Sequence, residues 1–197
     1  AHSTSLVESS DVYRIGQETP SKEAIARVAV EFIEPGQSVL LDDSTTVLQM
    51  AKRLQTKSPV TVITNVLTLM NELNGARGVQ LVALGGTFHN WCSAFMGSVT
   101  TDAIKRLRAD VAFISSASVV DGMCFHQSED SVATKRAMLS VAAKKILLVD
   151  HTKFDRRALH ALASLDEFDH VIVDSGTKPE HIENMRSQGI DVIVAPN

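Results

Sequence analysis

The chain has 197 residues, of which 44% are hydrophobic and 21% charged, with a formal net charge of −4 and a pI of about 6.0. That length and composition allow one substantial core, alone or with a small lobe, and the acidic balance excludes any general electrostatic attraction to nucleic acid or anionic lipid. The apolar runs are far shorter than the ~20 residues a membrane-spanning helix needs, and no basic stretch leads into an apolar one at the start, so the expected location is cytoplasmic.

Polar residues dominate positions 1–19, which read as a leader. Residues 21–34 carry Ile25, Val28, Ala29 and Phe32 at helical spacing and end at Pro35-Gly36, which predicts an amphipathic helix. Short β-rich runs then recur over residues 38–41, 61–64, 80–84, 111–114, 146–149, 171–173 and 192–194, with helix-like segments between them, among them 47–54 and 132–143. This alternation predicts a mostly parallel sheet. Several runs are apolar at consecutive positions, so helices are expected on both faces, giving an α/β fold. Residues 87–98 break the pattern, with Phe88, Trp91, Phe95 and Met96 among polar residues, and predict a small inserted hairpin or lobe. Cys92 and Cys124 are too few for a disulfide framework and lie in no metal-spaced cluster, so both read as packing residues.

In open α/β sheets, ligands bind beyond the carboxyl ends of the strands. At those ends the sequence places Asp42-Asp43-Ser44-Thr45-Thr46, then Thr64-Asn65, Gly85-Gly86-Thr87, residues 115–118 with Asp121-Gly122, and finally Asp150 with Thr152 and Lys153. Gly lets a backbone N–H approach a ligand, hydroxyls donate to phosphate oxygens, and amides and carboxylates recognise sugar hydroxyls. Each piece also has an ordinary structural reading. Asp-x-Ser-Thr before a helix caps it, Gly85-Gly86 and Asp121-Gly122 make turns, and Lys135-Arg136 is a solvated helix pair. Their joint occurrence at successive strand ends favours a pocket for a phosphorylated polyol.

In chain order, Asp42-Asp43-Ser44-Thr45-Thr46 before a helix, Thr64-Asn65 closing a strand, Leu84-Gly85-Gly86-Thr87, residues 110–113, Asp121-Gly122, Lys135-Arg136-Ala137-Met138 and residues 148–154 resemble the sensor domain of DeoR-type bacterial transcriptional regulators, over about residues 13–194. The resemblance implies a fold similar to ribose-5-phosphate isomerase and glucosamine-6-phosphate deaminase, a phosphosugar effector, and a winged helix-turn-helix ahead of the sensor. A leader over residues 1–19 is too short for a winged helix of roughly 50–60 residues. The expectation is therefore a linker at 1–19, an effector-binding domain at 20–197, and operator DNA engaged only through an absent module.

The expected ligand set is Asp42, Asp43, Ser44, Thr45, Thr46, Thr64, Asn65, Gly85, Gly86, Thr87, Ser115, Asp121, Lys135 and Lys153. Ser44 to Thr46 and the following helix start would hold phosphate, Gly85 and Gly86 would close amides over it, Lys135 would be the counter-charge with Lys153 as a second cation, and Asp42 or Asp43, Asn65 and Asp121 would read hydroxyls. No cofactor is expected. Operators commonly have two-fold symmetry, so a homo-oligomer is expected, with the signal leaving through the leader or a subunit interface.

The rival reading is an active sugar-phosphate isomerase or deaminase. Proton abstraction beside a carbonyl needs a carboxylate within reach of the carbon acid. Where the isomerases carry paired acidic residues, this chain has Ser115-Ser116-Ala117-Ser118, and where the deaminases carry His after Asp-Gly it has Met123. A metal-dependent hydrolase is disfavoured too, because the histidines are scattered without HExxH or HxH spacing.

Overall fold

The computed structural model describes residues 15–197, so most of the expected leader lies outside the described residues. In chain order the main elements are α1 (Thr19–Val30), β1 (Ser38–Leu41), α2 (Thr45–Met50), β2 (Val60–Thr64), α3 (Leu67–Leu73), β3 (Val79–Ala83), β4 (Thr87–His89), β5 (Ala94–Met96), α4 (Ser98–Lys105), β6 (Ala109–Ser115), β7 (Ser118–Val120), β8 (Met123–His126), α5 (Glu129–Val141), β9 (Ala142–Leu148), β10 (His160–Ser164), β11 (His170–Asp174), α6 (Pro179–Ser187) and β12 (Val192–Ala195). Seven strands form one parallel sheet in the order β12-β11-β9-β6-β1-β2-β3. All seven anticipated strands are present. Continuous apolar stretches are what strands buried on both faces require.

Alternate residues of each strand feed two cores. Val39, Leu41, Val62, Phe113, Ile146 and Ile172 pack under α1, α2 and α3. Leu40, Ile63, Ile114, Leu147 and Val173 pack under α4, α5 and α6. Helices therefore cover both faces of the sheet.

Several boundaries differ from the sequence reading for local reasons. The first helix starts at Thr19 with Pro20 in its opening turn and ends at Val30. Beyond that, Phe32 N donates to Ala29 O and Ile33 N to Val30 O, tightening the anticipated last turn of 21–34 into three-residue spacing. The segment 47–54 is α-helical only to Met50 and continues as a 3-10 turn over Ala51–Lys57. The helix expected at 132–143 starts at Glu129, capped by Ser128, and stops where Ala142 pairs with Ala109 in the sheet.

The break at 87–98 is a two-stranded hairpin, β4 with β5. Phe88 and Phe95 face each other across it at 5.1 Å between ring centroids, with Phe88 39% exposed. A feature beyond the expected elements is a second sheet, antiparallel, in the order β10-β8-β7, whose β7–β8 hairpin closes at the Asp121-Gly122 turn. Its inner residues Val119, Cys124, Leu162 and Ala163 join the second core.

Phe113 is fully buried at the centre of the sheet, beside Leu41 on one strand and Ile146 on the other. Phe113→Ala is expected to cost about 3–5 kcal/mol of stability through lost burial and a residual cavity, read as a lower urea midpoint. Lys52→Ala, which removes a side chain 67% exposed, is expected to change stability by less than about 0.5 kcal/mol.

Candidate functional site

From β1 the sheet grows one way through β2 and β3, and from β6 the other way through β9, β11 and β12. The loops after β1 and β6 therefore diverge, and a crevice opens at the carboxyl ends of adjacent strands. Leu41 and Phe113 are register partners, which sets Asp42 beside the end of β6. Asp42 Oδ1 accepts from Ser44 N at 3.0 Å. Its Oδ2 accepts from Ser115 N at 2.7 Å and from Lys135 Nζ at 2.6 Å. Lys135 also meets Asp43 Oδ1 at 2.9 Å. Asp42 is 1% exposed and Lys135 2%. Burial works against the ammonium, but the two carboxylates outweigh it and hold Lys135 above the ordinary lysine range.

Above this triad lies a cavity of about 300 Å³, walled by Gln17, Glu18, Lys22, Asp43, Ser44, Thr45, Thr46, Ser115, Ser116, Ala117, His126, Gln127, Lys135, Asp150, Thr152, Lys153 and Arg156. It is at the small end of the ~300–1,000 Å³ range of ligand cavities, and its wall is mostly polar. Lys135 is paired with Asp42 and Asp43, and the wall also carries the cations Lys22, Lys153 and Arg156, with Lys153 Nζ 3.4 Å from Asp150 Oδ2. Lys22 is 3% exposed although it stands on the first helix.

The β9 end supplies Asp150. Its Oδ1 accepts from Thr152 N at 2.9 Å and from Thr152 Oγ1. Burial works against its charge, but Lys153, the Thr152 bonds and Lys22 outweigh this and hold Asp150 below the usual carboxylate range. Asp150 Oδ2 and Gln127 Oε1 are buried and accept no hydrogen bond from the described residues, although Lys153 Nζ stands 3.4 Å from the former. Both oxygens belong to residues of the cavity wall, so a ligand that donates hydrogen bonds would satisfy them.

The profile of the DeoR C terminal sensor domain matches residues 17–175, a span that contains the whole wall of the cavity. The chain belongs to this family. A candidate aga operon transcriptional repressor of Escherichia coli O157:H7 is 31% identical over 193 residues, 97% of this chain and 71% of its own length. The lactose phosphotransferase system repressor of Lactococcus lactis subsp. lactis is 30% identical over 179 residues, 90% of this chain and 70% of its own. Among solved structures, translation initiation factor eIF-2B of Pyrococcus horikoshii OT3 superposes with a TM-score of 0.56 at 13% identity, over 78% of this chain and 62% of that one, which shows a shared fold. Ribose 5-phosphate isomerase A of Methanocaldococcus jannaschii aligns with a TM-score of 0.49 at 16% identity, over 68% of this chain and 53% of that one.

In this DeoR sensor domain, the cavity gathers Asp43, Ser44, Thr45, Thr46, Ser115, Lys135 and Lys153 of the expected ligand set, with Asp42 directly beneath. Other members lie elsewhere. Thr64 Oγ1 donates to Leu41 O at 2.9 Å, and Asn65 Nδ2 to Phe95 O at 2.8 Å, so both brace neighbouring strands. Gly86, at φ 148°, leaves no room for a Cβ, which would stand 2.0 Å from Thr100 Oγ1 and 2.8 Å from Met96 O. With Thr100 Oγ1 donating to Gly85 O at 2.6 Å, the glycine pair launches the β4–β5 hairpin, and Thr87 is exposed on it. Asp121 and Gly122, at φ 51° and 78°, form the two-residue turn of the β7–β8 hairpin and border a different cavity. Ser44 Oγ accepts from Val47 N at 3.0 Å, so this hydroxyl caps α2.

Lys22, Gln127 and Arg156 join the wall unanticipated. Lys22 alone carried a signal: it lies three and seven residues before Ile25 and Ala29, on the apolar stripe of its helix. Both cysteines are buried, and burial pushes the Cys124 thiol up to about 12.

Lys135→Met would leave Asp42 and Asp43 buried together without their cation. The expected loss is about 3–5 kcal/mol, measured by chemical denaturation at pH 7.

Proposed function

We propose that this cavity binds a small phosphorylated sugar without transforming it, and that occupancy biases a DNA-binding module in the full-length regulator. The observation that carries the reading is the distribution of groups on one wall. Lys22, Lys153 and Arg156 with the hydroxyls of Thr45 and Thr46 suit an anion, whereas the acceptor oxygens of Asp150 and Gln127 suit sugar hydroxyls. The relatives are transcriptional repressors, one of them of a lactose phosphotransferase system, which supports a regulatory role for the same site.

The chemistry of the three aspartates at the wall speaks against their serving as a catalytic base. A general base works best with a pKa near the operating pH and must be free to move a proton. Asp42 and Asp43 are held by Lys135, and Asp150 is kept ionised below the usual carboxylate range. The loop after β6 offers Ser115, Ser116 and Ala117. These side chains donate and fill space; none is a base for a carbon acid.

In a thermal-shift screen, ribose 5-phosphate or glucosamine 6-phosphate is expected to raise the melting temperature, while ribose, glucosamine and inorganic phosphate do not. A ligand at 100 times its Kd stabilises by about 2.7 kcal/mol, which is readily measured. Lys153→Gln is expected to weaken binding about tenfold by removing a cation from the wall. Equal stabilisation by the unphosphorylated sugars would refute the assignment, as would isomerisation or deamination above background.

A further inference from the structure

The approach to α1 lines the cavity. Gln17 and Glu18 are part of the wall, and Glu18 is the residue from which the helix starts, its carbonyl accepting from Lys22 N at 3.0 Å. Glu18 has φ 51°, a left-handed conformation unusual for a side chain of this size and held only where the surroundings dictate it. Its carboxylate lies 3.6 Å from His151 Nε2. The same imidazole presents Nδ1 to Asp174 Oδ2 at 2.6 Å, and His151 N donates to Asp174 Oδ1 at 2.7 Å. Gly176 keeps this corner tight, since a Cβ there would stand 3.0 Å from His151 Nδ1.

This geometry makes the contact dependent on one proton. With Nδ1–H donated to Asp174, a neutral ring turns a lone pair toward the Glu18 carboxylate, whereas an imidazolium turns an N–H toward it. We propose that Glu18, His151 and Asp174 form a proton-dependent clasp that fastens the segment entering α1 over the ligand cavity, so that ligand occupancy and pH are both read at the start of that helix. The proposal rests on the reading of the cavity as a ligand site. The charged groups acting on His151 are Asp174 from the end of β11, Glu18 from the approach to α1, and Asp150 from the end of β9. Burial opposes the charged ring, but these carboxylates outweigh it and raise His151 above its ordinary 6.5. A folded value above the unfolded one means the clasp is fully present below pH 6.5 and is lost as pH rises through the folded value.

Hydrogen exchange over residues 17–22, corrected for the intrinsic pH dependence of exchange, tests this in the chain as it stands. Without ligand at pH 6, Glu18→Gln and His151→Asn are each expected to speed exchange about two- to fivefold, the double variant no more than either. At pH 8.5 the unsubstituted chain is expected to match the variants. Unchanged exchange in both variants at pH 6, with unaltered melting temperatures, would overturn the clasp. A second arm adds whichever of ribose 5-phosphate or glucosamine 6-phosphate raises the melting temperature, and slower exchange over 17–22 is expected. A melting shift without that protection would also overturn the proposal. If neither compound shifts melting, the sugar-phosphate reading fails while the ligand-free arm still decides the clasp.

Discussion

The pairing of Asp42 with Lys135 holds the site together. One carboxylate accepts from the backbone of its own turn, from the first residue beyond the β6 core and from an ammonium on α5. Three elements distant in sequence are thereby fixed at one point. Removing two charges from water is costly, and a buried pair contributes little stability compared with an apolar pair of the same size. Its effect is geometric: a polar group that can be satisfied in only one arrangement specifies that arrangement. The loop from Asp43 to Thr46 owes its position over the sheet to this fixed point.

The parallel sheet was legible because most of its strands are buried on both faces and announce themselves as continuous apolar runs. Short strands are another matter. Met123 to His126 and His160 to Ser164 are short and only partly covered, and they pair with each other across a long stretch of chain. The Asp121-Gly122 turn marks the β7–β8 hairpin, but no local pattern points to β10 as its third strand.

The site was legible in part, for a similar reason. Asp43 to Thr46 and Lys153 reach the cavity because the strand ends that carry them converge at the switch point. Lys135 reads as a ligand's counter-charge until its partners are known, and those partners lie on β1, 93 residues earlier. Gly86 and Asp121 have turn chemistry that a phosphate nest shares, and the deciding facts are nonlocal. Thr100 crowds one, and the other closes a hairpin and borders a different cavity. Lys22 is the instructive case, since a lysine within an apolar stripe must find a buried partner or face a polar cavity.

A sensor must hold two states to which its ligand binds unequally, with coupling typically about 1–3 kcal/mol. The sheet is poorly suited to be the element that changes. Its central strands are buried on both faces and interlocked by two cores, and such packing resists small continuous displacement. The strand-end loops are fixed by Asp42, and α5 by Lys135. What remains is the rim of the cavity, where Gln17 is exposed, Glu18 is partly so, and the backbone is left-handed without a glycine. That rim is more exposed than the sheet, so its local opening costs less than a disturbance of the sheet. Under the proposed reading, a ligand touching both the rigid floor and this rim would convert binding energy into a displacement at the start of α1.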